Sequence, residues 1–187
     1  EILNINTPKN IKIINENILE YDQTKLNTNY KIIGNLPYYI TTPIIFKFLN
    51  SKYWSKMTIM VQKEVANRIV AKPNNKDYGR LSIMVQAFAN VDRHFDISNN
   101  LFIPKPKVDS TLISIIPKNN INFNKTIFRD IVKLAFQKRR KMLKNSIINY
   151  LDKHHIMEFG HLRPENISVE NFIKIAQSCI NINKVVN

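Results

Sequence analysis

The residues in this sequence best suited to chemistry stand in a row, Asn35-Leu36-Pro37-Tyr38. Asn35 offers a carbonyl acceptor and an amide donor. Pro37 fixes its own φ and biases Leu36 toward extended backbone, which aims the Leu36 carbonyl. Tyr38 supplies a flat face on which a planar ring can stack. Two fixed acceptors beside an aromatic face suit an exocyclic amino group on a base, as in adenine. The same four residues also read as a plain turn with a buried tyrosine, and a tetrapeptide alone does not decide between the two.

A second group is Phe102 with Pro104-Lys105-Pro106-Lys107-Val108-Asp109-Ser110. A phenylalanine ahead of a proline-stiffened basic loop can stack on an extruded base while Lys105 and Lys107 hold its phosphates. A core phenylalanine at a strand end is the plainer reading, slightly favoured on physics alone. The third is Lys138-Arg139-Arg140-Lys141 with Lys144, a basic run without an acid. On a helix Arg140, Lys141 and Lys144 share one side and can track a phosphate backbone; otherwise they form a solvated face. Arg139 falls near the apolar line of Phe128, Ala135 and Leu143. That spacing either breaks the helix near Gln137 or makes the arginine snorkel. His94, His154, His155 and His161 have no metal-ligand spacing, and His154-His155 beside Lys153 read as solvated surface.

The elements around these groups alternate. Ile32-Ile33 reads as a buried strand that ends at Gly34 and hands the chain to Asn35, and strand carboxyl ends are where open α/β sheets bind ligands. Ile11–Ile14 reads as an earlier strand, with Asn17 and Ile18 in the loop at its end. Thr41-Thr42-Pro43 reads as a helix start with a hydroxyl cap. Further strands are expected at Met57–Val61, Asn90–Ile97 and Ser110–Ile116, with helices over Gln62–Ala71 and Leu81–Phe88. Composition shifts at Pro117–Asn122, a linker. Beyond it only helical spacing is found, over Ile127–Leu151 and Val169–Ile180, so an α/β part is followed by a small α part.

The 187 residues carry a net charge of +14, which points to a polyanionic partner, nucleic acid or an anionic membrane. Nothing is long and apolar enough to span a bilayer, and no signal peptide is visible. The single cysteine, Cys179, excludes an internal disulfide and fits a reducing compartment. The three glycines are isolated, so no glycine-rich nucleotide loop is present.

Taken together, these blocks resemble the small-subunit ribosomal RNA adenine dimethyltransferases. The resemblance runs through Gly34–Tyr38, Val61–Val65, Asn67-Arg68, Tyr78–Ser82, Phe102 with Pro104 and Pro106–Ser110, Phe136–Lys141 and Glu165–Ser168. Macrolide-resistance methyltransferases share the first block, but the Pro-Lys-Val-Asp-Ser block favours the dimethyladenosine branch. The resemblance implies a fold of class α/β. A Rossmann-like sheet dependent on S-adenosylmethionine, with its N-terminal part missing, would occupy residues 1–118. A small all-α, RNA-binding domain would occupy 119–187.

It further implies methyl transfer from S-adenosylmethionine to N6 of two adjacent adenines in small-subunit ribosomal RNA, without a metal. Asn35 and the Leu36 carbonyl would hold the amino group, aimed by Pro37, while Tyr38 and Phe102 sandwich the base. Asn17, Ile18 and Asn35 would touch the cofactor, Asn17 standing where the family has an aspartate. Lys105, Lys107, Lys138, Arg139, Arg140, Lys141 and Lys144 would meet RNA. The expected partner is the immature small ribosomal subunit, the expected location the cytoplasm, and the expected state a monomer. The family's glycine-rich cofactor loop would lie before Glu1. The chain alone is therefore expected to lack half the cofactor site, and a non-catalytic RNA-binding or ribosome-assembly role is the alternative.

Overall fold

The computed structural model describes residues 8–26 and 28–185, with side chains through Cys179. Four strands form one mixed sheet: β1 (Tyr30–Asn35), β2 (Trp54–Gln62), β3 (Ala89–Ile97) and β4 (Ser110–Pro117), in the order β1-β2-β4-β3. β1 runs parallel to β2, and β4 runs antiparallel to both β2 and β3. The parallel pair is joined through a helix, α1 (Thr41–Leu49), as parallel strands require.

Side-chain alternation gives the sheet two unlike faces. Ile32, Met57, Ile59, Val61, Ile113 and Ile115 share one face, which is buried beneath α1, α2 (Lys63–Val70) and α3 (Arg80–Phe88). Ile33, Asn35, Thr58, Met60 and Ser114 share the other. On that face Ser114 Oγ bonds Thr58 Oγ1 at 3.0 Å and His94 Nε2 at 2.8 Å. β1 is an edge strand of this sheet, and Ile33 is 87% exposed. The expectation of a buried strand at Ile32-Ile33 is thus corrected: the apolar pair is split, one side chain to each face.

The run Ile11–Ile14 is also not a strand. Ile11, Ile13 and Ile14 are exposed in irregular backbone, because a β-branched run needs a ladder partner and the described residues give it none. α1 starts without a side-chain cap; the Thr41 hydroxyl instead donates to the Pro37 carbonyl at 3.2 Å.

Beyond the linker the chain is helical: α4 (Lys125–Gln137), α5 (Lys144–Ile147), α6 (Lys153–Phe159) and α7 (Val169–Val185). Asn124 caps α4, its Oδ1 accepting from the N–H groups of Thr126 and Ile127. The helices share the sheet's core through a knot of rings. Phe88, Phe123 and Phe128 lie with centroids 4.8–5.7 Å apart. Tyr78, fully buried, donates its hydroxyl to the Ile167 carbonyl at 2.9 Å, and burial, aided by Glu170, pushes its phenol pKa up. Asn74, in the left-handed region that asparagine tolerates, adds a bond to Asn166.

The single helix expected over Ile127–Leu151 stops at Gln137. Lys138–Lys141 form a turn, closed by the Lys141 N–H on the Lys138 carbonyl at 2.8 Å. The reason lies in Arg139, which a continued helix would aim at the buried stripe. Out of the helix, its guanidinium reaches Glu165 at 2.7 Å and the Lys76 carbonyl at 3.0 Å. Arg140, Lys141 and Lys144 therefore do not share a helical side, although Arg140, Lys141 and Lys144 are all exposed. His155 departs from the expected surface position: it is buried, with Nδ1 2.9 Å from the Asp152 carboxylate.

Candidate base-binding cleft

Asn35 closes β1 on the open face, opposite Met60 of β2 in the ladder. The chain then turns through Leu36 and Pro37 into a 3-10 turn, Tyr38–Ile40, that feeds α1. Pro37 has φ −58° and ψ 131°, and its carbonyl accepts from both the Ile40 N–H and the Thr41 hydroxyl. Gly34 matters for a simple steric reason. A Cβ there would lie 2.8 Å from Leu36 Cδ2, so the absent side chain lets Leu36 fold back over the strand end.

The second wall comes from the segment between β3 and β4. Asn35, Leu36, Pro37, Tyr38, Met60, Phe102, Ile103, Pro104 and Pro106 line one cleft of 360 Å³. Phe102 is half-buried, not a core residue, so the plainer reading of it is overturned. The two walls are fastened by a hydrogen bond of 2.8 Å between the Tyr38 hydroxyl and Ser110 Oγ, with Ser110 wholly buried at the start of β4. That bond fixes where the far end of the tyrosine ring sits.

The Phe102 loop is itself braced. Asp109 Oδ1 accepts from the Asn99 N–H at 3.0 Å, and Asn99 Nδ2 donates to the Pro106 carbonyl at 3.2 Å. The Asp109 carbonyl in turn accepts from the Lys63 N–H at the head of α2. Beside this clasp lies a charged knot. Asp96 takes Lys63 Nζ at 2.9 Å, the Thr111 hydroxyl at 2.7 Å and Arg93. The bonds from Lys63 and Thr111, then the charge of Arg93, hold its carboxyl below the usual carboxylate range. Asn99, Met60, Ser110 and Asp96 were missed in the sequence as site-building residues. Only Ser110 stood in a recognised block, and nothing local marks its partner.

Two predicted groups stand elsewhere. Asn17 does not point a free amide at a ligand. Its Oδ1 accepts from the Leu19 N–H at 3.0 Å, its Nδ2 donates to Glu20 at 2.8 Å, and Ile18 packs half-buried against the core. Lys47 fastens this loop to α1 through the carbonyls of Leu19 and Tyr21, each at 2.7 Å. Of the basic residues, Lys105 and Lys107 are exposed on the cleft loop, and Lys107 lines an adjoining groove of 510 Å³ with Lys63 and Lys76. Lys138, Arg140, Lys141 and Lys144 are exposed on the helical part, whereas Arg139 is held by Glu165. Among the described residues no cluster of three or more His, Cys, Asp or Glu could hold a metal. No described helix is long and apolar enough to cross a membrane.

Comparison with known proteins concerns the chain as a whole. The family described as ribosomal RNA adenine dimethylase matches residues 2–181. A ribosomal RNA small subunit methyltransferase A from Ehrlichia canis (strain Jake) is 42% identical over 166 residues, covering 83% of this chain and 63% of the relative. Its namesake in Borreliella burgdorferi (strain ZS7) is 40% identical over 176 residues, covering 91% and 63%. The chain thus spans 63% of the length of these curated relatives. Among solved structures, a dimethyladenosine transferase from Plasmodium falciparum superposes with TM-score 0.70 at 24% identity, covering 82% of this chain and 66% of that one. The 23S rRNA methyltransferase ErmE superposes with TM-score 0.65 at 20% identity, covering 89% and 72%. These likenesses give the fold, a Rossmann-like methyltransferase sheet.

Proposed function

Because the chain belongs to the ribosomal RNA adenine dimethylase family, we propose that its cleft receives an adenine of small-subunit ribosomal RNA for methylation at N6, twice on each of two adjacent adenines. The observation that carries this reading is the meeting of Asn35–Tyr38 and Phe102 in one cleft, from segments far apart in sequence. The N6 lone pair of adenine is delocalised into the ring and is a poor nucleophile. Acceptors at Asn35 Oδ1 and the Leu36 carbonyl hold the two amino hydrogens and favour tetrahedral character at nitrogen. Tyr38, set by Ser110, and Phe102 stack on the two faces of the base, so the amino group is positioned as well as bound. Lys105, Lys107, Lys138, Arg140, Lys141 and Lys144 meet the phosphates, with residues 119–187 as the RNA-binding part.

The methyl donor in this family's chemistry is S-adenosylmethionine. The described residues fit the base half of such a site better than the donor half. Asn17 is committed to its own turn, and Asn35 stands exposed at a sheet edge. That observation also favours a second reading, an RNA-binding or ribosome-assembly role without methyl transfer. The location under either reading is the cytoplasm, where small subunits are made, and the protein acts as a monomer on the immature subunit.

The test is transfer of labelled methyl groups to unmethylated small-subunit RNA. Transfer to N6 of adenine by the wild type, abolished in Asn35→Ala and Tyr38→Ala, is expected. RNA binding without transfer would support the second reading instead.

A further inference from the structure

The loop that carries Phe102 also holds two apolar side chains clear of the fold. Ile103 is fully exposed, at 101% of its reference area, and Leu101 is 76% exposed. Single exposed apolar residues are ordinary on protein surfaces. These two are set apart by their placement. They bracket Phe102, Ile103 lines the same cleft as Asn35–Tyr38, and exposed Lys105 and Lys107 follow on the same loop. The Asn99–Asp109–Pro106 clasp and the Leu101 N–H on the Ser98 carbonyl brace the loop from behind. The fold therefore presents an apolar tip at the mouth of the cleft, with positive charge beside it.

Resting on the base-binding reading of the cleft, we infer that Ile103 is an intercalating wedge, filling the gap that the extruded adenine leaves in the RNA stack. An adenine that enters the cleft must leave its neighbours, at a cost of a few kcal/mol of lost stacking. An apolar side chain inserted at that step recovers part of the lost contact and removes its own surface from water. The charge beside it selects the occupant. A tip followed by two lysines suits a polyanion with apolar steps between its phosphates better than an apolar protein surface. Ile103 is thus a positioning residue, which acts by keeping the base out of the stack and touches no reacting atom.

The experiment uses the full chain at saturation on a small-subunit RNA hairpin with two adjacent adenines. A 2-aminopurine placed immediately 5′ of the first adenine brightens when its stacked neighbour leaves. The wild type is expected to brighten the probe, and Ile103→Ser to lower the extruded fraction about tenfold, in the range that stacking of one base is worth. Ile103→Val, still apolar, retains the brightening. The lysines still hold the RNA at low salt, so both variants reach saturation, with a modest loss of affinity in Ile103→Ser. Ile103 packs on nothing that a serine would unfold. An Ile103→Ser protein that brightens the probe as fully as the wild type overturns the wedge alone. A wild type that binds the hairpin and leaves the probe dark overturns the base-extrusion reading beneath it.

Discussion

At the scale of single residues, the cleft depends on two small features, a missing Cβ and one hydroxyl. Gly34→Ala would press a methyl group 2.8 Å from Leu36 Cδ2. Leucine is a flexible neighbour, so the fold survives, but the Leu36 side chain must leave the place it holds in the cleft wall. We expect methyl transfer or base binding to fall at least about tenfold, with a change in thermal midpoint of only a few degrees. Tyr38→Phe keeps the ring and removes the bond to Ser110, leaving a buried hydroxyl with one partner fewer. Its expected cost is about 1 kcal/mol of stability, read by urea titration. Asn35–Tyr38 were legible in the sequence because their chemistry is local, an acceptor, a fixed φ and a ring in consecutive positions. Ser110, 72 residues away, was not legible as the partner of Tyr38, because a tertiary hydrogen bond leaves no mark in local spacing.

At the scale of elements, the basic run shows how a helix chooses its end. The spacing of Phe128, Ala135 and Leu143 presented two outcomes for Arg139, and the chain takes the one that breaks the helix at Gln137. Which acid then receives the arginine is decided by a turn 26 residues further on. Arg139→Ala is accordingly expected to cost up to about 1 kcal/mol of stability, since the pair is half exposed, and to leave the salt dependence of RNA binding unchanged. Arg140→Ala with Lys141→Ala should lower the slope of log affinity against log salt by about 1.5.

β3 carries the other element-scale consequence. An irregularity between Arg93 and Asp96 turns Asp96 toward Lys63 and Thr111. Its carboxyl pKa is lower folded than unfolded, so the unfolded chain binds the proton more readily. The stabilisation is therefore present above the ordinary value of 3.8 and disappears as pH falls through the lower, folded value. Thermal midpoints measured between about pH 5 and pH 2 should drop less steeply in Asp96→Asn than in the wild type.

At the scale of the whole molecule, strands alternating with helices and then helices alone were readable as two parts, and the observed order follows that reading. Their joining was not readable. Phe88 ends α3, Phe123 lies in the loop between β4 and α4, and Phe128 lies in α4, and only the folded chain shows them as one cluster. The strand at Ile11–Ile14 failed for the complementary reason: propensity without a partner strand does not make a ladder. What the assembled molecule offers is a cleft at the end of β1, walled by two distant loops and approached across exposed lysines.

Whether this cleft reads the amino group of an RNA adenine is answered by substituting that group alone. Affinity is measured for a small-subunit RNA hairpin carrying adenine at the target position and for the same hairpin carrying purine, which lacks the exocyclic amine. The wild type is predicted to bind the adenine hairpin about tenfold more tightly, the worth of one or two hydrogen bonds, and Asn35→Ala to lose most of that preference. Equal affinity of the wild type for the two hairpins would mean that the cleft does not read the amino group.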